Sequence, residues 1–174
     1  GGFTGILGEW GTESEASTWP MTNISAREAL VNSRNAATVR LGEKVGLPAI
    51  KEFATKAGIQ SPLKDYPSSY LGASEAKLNE MCLAYSVFPN GGQRPKEMFM
   101  IRRITDADDK IVFQSSEDDG WVEAVDPIAA YQTHSCLVEA LHRGTGSPSV
   151  TEFGLGQFLA AGKTGTHYEF KDLC

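Results

Sequence analysis

The clearest helical period in this chain runs from Ala73 to Phe88. Leu78, Met81, Cys82, Tyr85 and Phe88 recur at the i, i+3, i+4, i+7 spacing that gathers side chains on one side of an α-helix. That side is predicted to be buried. Pro89-Asn90-Gly91-Gly92 ends the run sharply, because neither proline nor a glycine pair continues a helix.

The remaining elements follow from punctuation. Ser25-Ala26-Arg27-Glu28 is a capping box and starts a helix that runs through Val31 and stops near Asn32-Ser33. A second helix is expected from about Ala36 to Val45, closed by Gly46 with Pro48 beyond it. Pro48 to Lys56 reads as another short helix, stopped at Gly58. Met98–Ile104 and Lys110–Gln114 are β-rich runs around an Asp-laden turn, the pattern of a hairpin. Pro127 to His142 is predicted helical, with Ala130, Leu137, Val138 and Leu141 on one face. Residues 1–24, 117–120 and 144–148 read as loops, and Phe158 to Thr166 as a strand entering a polar end. No repeat, low-complexity tract or domain boundary is visible. The fold class is α+β, one domain, with helices outnumbering strands.

Composition excludes some functions. A formal charge of −6 argues against a nucleic-acid partner, which demands a basic face, and more weakly against an anionic membrane surface. No stretch of about 18 apolar residues is present to span a membrane, and no signal peptide is visible. The chain opens at Gly1-Gly2-Phe3 without a methionine, so a fragment is expected, with any targeting signals upstream. Three cysteines, Cys82, Cys136 and Cys174, make a disulfide framework unexpected. Cys82 lies in the apolar run 81–85 and is predicted to be a small buried hydrophobe. His134 falls on the apolar face of its helix and reads as a core histidine, while His142 sits near the helix end. No His/Cys/Asp spacing suits zinc, and Asp106–Asp109 lacks the spacing and closing glutamate of a calcium loop.

Two short motifs carry chemistry. Lys163-Thr164-Gly165-Thr166 follows an apolar run. Its lysine offers a fixed positive charge and its threonines hydroxyl donors. Its glycine lets a ligand backbone approach. Together they suit an anionic, peptide-like ligand. Ser33-Arg34-Asn35 stands at the break between two helices, where polar groups can face a cleft. The serine can relay a proton and the asparagine amide can hold a carbonyl. Ser33 or Asn35 also suits a plain helix N-cap, and that reading stays open from sequence alone.

In this order the two motifs resemble those of the serine acyltransferases of the penicillin-binding and class A β-lactamase type, which also carry an upstream Ser-x-x-Lys. Ala29–Asn35 looks like the second-motif region of class A penicillin-binding proteins. Tyr70–Glu75 running into Ala84–Gly92 is similar to a family helix and its exit. Ile104-Thr105-Asp106, Gly144-Thr145-Gly146, and Ala160–Thr166 followed by Asp172 also fit. The resemblance covers nearly the whole chain from about residue 25. It departs from the family at His167, where another threonine is frequent. It also has no Ser-x-x-Lys before Ser33. The two later matches, 61–64 and 74–77, lie on the wrong side of the second motif, and Ser74 reads as a helix N-cap. Truncation upstream of Gly1, and loss of the strands that follow Cys174, is therefore expected, making 1–174 a partial transpeptidase domain.

The resemblance implies a helix-rich piece of a β-lactamase-like fold with part of an antiparallel sheet. It implies a peptidoglycan D,D-transpeptidase that cross-links stem peptides ending in D-Ala-D-Ala through an acyl-enzyme, is acylated by β-lactams, and uses no metal or organic cofactor. Carried over residue by residue, Ser33, Asn35 and Lys163 are catalytic, and Thr164, Gly165 and Thr166 bind substrate. Arg34 is structural or at the surface. The family sits on the outer face of the bacterial cytoplasmic membrane, held by upstream segments. The isolated chain is expected to be inactive. A D,D-carboxypeptidase or β-lactamase of the same superfamily, and a degenerate domain that binds cell-wall peptides without chemistry, remain alternatives.

Overall fold

A computed structural model of the chain describes residues 24–115 and 120–165. In chain order it shows α1 (Ala26–Val31), α2 (Asn35–Val45), α3 (Leu47–Ala57), a 3-10 turn (Pro67–Leu71), α4 (Leu78–Tyr85), β1 (Gln93–Pro95), β2 (Arg103–Thr105), β3 (Ile111–Gln114), β4 (Trp121–Glu123), α5 (Pro127–His142), α6 (Pro148–Thr151) and a second 3-10 turn (Leu155–Gln157). Helices outnumber strands, as the α+β reading expected. No described helix is long and apolar enough to cross a membrane. The described residues form two compact units, 24–52, 62–75 and 132–165 in one, and 53–61, 76–115 and 120–131 in the other. Two of their four borders fall inside α3 and α5, and the other two lie in the loops on either side of the first 3-10 turn.

In the first unit, the Ser25 hydroxyl accepts from the Glu28 backbone N–H at 3.2 Å and caps α1, while the Glu28 carboxylate turns to Asn32 and Arg143 instead of completing the predicted capping box. Helix α2 lies against the 3-10 turn so tightly that a Cβ on Gly42 would meet the Tyr70 ring at 2.5 Å. Val31, Val39, Leu137, Ala140 and Leu141 are buried here, the last three on the predicted apolar side of α5 or next to it.

In the second unit, Ala57, Ala84, Val87 and Ala124 form a small core, with Phe53, Ile59 and Val125 packed on it. β1 pairs antiparallel with β4, Arg94 opposite Val122. Gly92 makes this possible. It takes φ +89°, and its carbonyl accepts from the Ala124 and Val125 amides at 2.9 and 3.2 Å. A Cβ there would stand 2.1 Å from the Val125 oxygen. The predicted hairpin is β2 and β3, Ile104 opposite Phe113, with an irregularity beside Thr105. The Asp106 carboxylate holds its turn by accepting from the Asp108 and Lys110 amides.

Three expectations are corrected. Helix α4 begins at Leu78, not near Ala73, and Ser74 is not its N-cap. The Ser74 hydroxyl instead accepts from the Lys64 amide at 3.0 Å and pairs with Ser69, a loop bond that competes with helix formation. The buried side of α4 is also not the predicted one. Leu78, Cys82 and Tyr85 are exposed, whereas Glu80 and Ala84 are buried, as is Val87 just past the helix end. The Glu80 carboxylate accepts from the Ser61 amide at 3.2 Å, and Ala84 joins Ala57 and Ala124 in the core, so tertiary partners chose the side that large side chains alone did not. Finally, residues 158–165 form no strand, because no ladder partner pairs with them among the described residues.

Candidate active site

The turn after α1 places Ser33. Its amide donates to Leu30 O at 3.2 Å, and the Arg34 amide donates to Ala29 O at 2.8 Å. These two bonds define a helix end closed by a residue in the left-handed region, a position where glycine is usual. Ser33 fills it with φ +53°, at a cost of about 1 kcal/mol for its Cβ. Arg34 occupies the N-cap position of α2 without a side-chain cap bond, and Asn35 is the first residue of that helix. The plain N-cap reading of Ser33 or Asn35 is therefore not realised. Both are half-buried, two residues apart at one helix break.

The second motif meets this break. Lys163 Nζ donates to Ser33 Oγ at 2.8 Å and to the Thr164 carbonyl at 3.0 Å. Burial holds the Lys163 ammonium below the ordinary lysine value. The Gly162 amide donates to Leu137 O at 3.2 Å and ties the approach to α5. The Thr164 hydroxyl pairs with that of Thr145 at 2.7 Å. Gly165 is exposed, and Thr166, His167 and Asp172 lie outside the described residues.

Charges fasten the helices that carry these groups. Arg143, at the end of α5, donates to both carboxylate oxygens of Glu28 on α1 and to Glu139. Arg27 reaches Glu139 and the Ser135 hydroxyl. The Arg143 guanidinium holds the Glu28 and Glu139 carboxyls below the usual glutamate range, with Arg27 adding to the effect.

The chain is similar to known proteins over most of its length. No protein-family model matches it. Penicillin-binding protein 1A of Rickettsia conorii is 32% identical over 170 residues, covering 86% of this chain and 21% of that protein. Penicillin-binding protein 1B of Escherichia coli K12 is 33% identical over 140 residues, covering 80% of this chain and 16% of its own. The chain thus spans about a fifth of the length of these curated relatives. The D,D-transpeptidase domain of a peptidoglycan glycosyltransferase from Eggerthella lenta superposes with a TM-score of 0.66 at 17% identity, over 91% of this chain and 45% of that one, a likeness of fold.

The chain belongs to the class A penicillin-binding proteins, as part of the transpeptidase domain.

Within this penicillin-binding protein segment, the sequence-predicted residues separate into groups. Ser33 and Lys163 are in direct contact, Thr164 is bonded to Lys163 through its carbonyl, and Asn35 stands at the same helix break. Such an arrangement can move a proton. Ser33 Oγ accepts from the ammonium and keeps its own O–H to donate onward. Two of the three Lys163 donors are engaged, by Ser33 and Thr164, among the described residues. No described cluster of His, Cys, Asp and Glu is placed to hold a metal. Sequence reasoning assigned Thr145 no part in the site. The signal was a hydroxyl between two glycines in Gly144-Thr145-Gly146, and only the fold shows what it touches.

Proposed function

We propose that this segment supplies the proton-relay and carboxylate-binding half of a peptidoglycan D,D-transpeptidase that is also acylated by β-lactams. The Lys163–Ser33 bond carries the reading, because it joins two polar motifs 130 residues apart in sequence at a half-buried point. In this reading a serine from a Ser-x-x-Lys segment gives its proton to the lysine of that segment and attacks the penultimate D-Ala carbonyl of a stem peptide ending in D-Ala-D-Ala. The serine oxygen bonds to that carbon and the amide C–N bond breaks. The leaving nitrogen takes its proton from Ser33, which draws on Lys163. An amine of a neighbouring stem peptide then bonds to the acyl carbon and loses a proton, and the displaced serine oxygen takes one up and is restored as a hydroxyl.

Asn35 holds the substrate amide, and Lys163 lends positive potential to the substrate carboxylate. Thr164 and Thr166 hydroxyls contact that carboxylate, Gly165 leaves room for the peptide, and the Thr166 N–H joins the nucleophile's own N–H in stabilising the oxyanion. The lowered Lys163 value supports the relay, since a burial-stressed ammonium gives up its proton more readily than a solvated one. The nucleophile is not among Ser61 and Ser74. Ser61 serves Glu80, and Ser74 is bonded within a loop. The reading places it in a Ser-x-x-Lys segment outside residues 1–174, on the outer face of the cytoplasmic membrane with the rest of the protein.

The test is covalent labelling by a fluorescent penicillin of the longest native form containing residues 1–174. Wild type is expected to label, and Lys163→Ala to lose at least about a hundredfold in rate, the scale of one positioned proton-transfer group. A folded wild-type protein that never labels would overturn the transpeptidase reading in favour of a cell-wall peptide-binding domain. Residues 1–174 alone are expected not to label.

A further inference from the structure

The loop after α5 is fixed on both flanks. Before it, Arg143 is bound to Glu28 on α1. After it, the Gly146 amide donates to Ala140 O at 3.0 Å on α5. Gly144 lies so close to α1 that a Cβ would stand 2.1 Å from the Val31 carbonyl oxygen, two residues before Ser33. Between these anchors, Thr145 offers its hydroxyl to Thr164 at 2.7 Å. The Thr164 carbonyl in turn accepts from Lys163 Nζ, which donates to Ser33 Oγ. A closed circuit results: α1, the 143–146 loop, Thr164, Lys163, and α1 again through Ser33.

We propose that Thr145 is a positioning residue, which holds Thr164 through its hydroxyl and thereby sets the reach of Lys163 to Ser33. Among the described residues the Thr145 hydroxyl bonds Thr164 alone, and the loop's two glycines serve close approach to the helices. Losing the bond frees Thr164 to rotate, lets its carbonyl drift from Lys163, and admits water to the ammonium. The proposal deepens the transpeptidase reading and rests on it for its catalytic meaning, but not for its geometry.

The experiment compares wild type, Thr145→Val and Thr145→Ser in two readouts. The first is the titration of Lys163 in residues 1–174, followed by carbon-13 NMR of the lysine side chains with Lys163→Met to assign the signal. The second is fluorescent-penicillin labelling of the longest native form. Valine keeps the shape and removes the hydroxyl. Its Lys163 midpoint is expected to rise toward the ordinary lysine value as water reaches the ammonium, and its labelling rate to fall by about three- to tenfold, the effect of one hydrogen bond. Serine is expected to restore both. A folded Thr145→Val protein with an unchanged Lys163 midpoint overturns the proposal, even if Lys163-dependent labelling upholds the transpeptidase reading. So does a Thr145→Ser protein that fails to recover the wild-type midpoint. If the midpoint moves with valine and returns with serine while no form labels, positioning stands and the transpeptidase reading falls.

Discussion

The two units treat charge differently. In the second, both buried charged side chains are locked by protein partners. Arg94 is only 9% exposed, and it donates to the carbonyls of Lys56, Pro95 and Lys96. Glu80 accepts from the amides of Ser61 and Lys77. In the first unit the key cation is half-buried and meets a side-chain hydroxyl. Burial lowers Lys163 from its ordinary value, whereas the Ser61 hydroxyl bond lowers Glu80 and so favours its charged form. A charge surrounded by main-chain carbonyls has nowhere to send a proton and serves architecture. A charge resting on a hydroxyl, with its own proton loosened, is equipped for transfer.

The largest effect should come from the architectural charge. Arg94→Met leaves the carbonyls of Lys56, Pro95 and Lys96 without their donor, and is expected to cost about 3 kcal/mol by urea unfolding. Penicillin labelling per folded molecule should stay at the wild-type level. An Arg94 variant that keeps its stability but loses labelling would break the division. A smaller effect sharpens it. Ser33→Gly should be about 1 kcal/mol more stable than Ser33→Ala, because only glycine escapes the left-handed penalty at φ +53°. Both should lose labelling alike, since neither offers Lys163 a hydroxyl.

The smallest effect is on acid stability. Glu28 and Glu139 are held below the ordinary 4.5 first by Arg143. A lowered carboxyl stabilises the fold above that ordinary value, and the gain disappears as pH falls through the lowered one. In Arg143→Met the folded values move toward the unfolded ones, with Arg27 and Asn32 still lowering them in part, so thermal melts between pH 5 and pH 3 should fall less steeply than in wild type. Equal slopes would show that these exposed ion pairs contribute little.

Local signals made part of the fold legible. The Ser25 N-cap and the limits of α5 needed only neighbouring residues, and both were readable. The side of α4 that would be buried was not, since Ser61 and the core alanines decide it from elsewhere in the chain. Nor was the β1–β4 pairing. Three-residue strands such as Gln93-Arg94-Pro95 have no period to detect, and Gly92 brings them together through a close approach. In the site, Ser33 and Lys163 were legible as motifs of a family. Their contact was implied only by the resemblance, because no rule of spacing joins residues so far apart. The left-handed turn at Ser33 was hidden because serine rarely announces it, and Thr145 because a threonine in a glycine loop looks like any turn.

Ser33 also carries a consequence for how such a sequence drifts. Serine and glycine codons can differ by a single base, and at this turn glycine relaxes the backbone it replaces. Random change is therefore drawn toward a sequence that keeps the fold and silences the site. A lineage that retains serine here must be held there by use, and one released from that demand should be found carrying glycine.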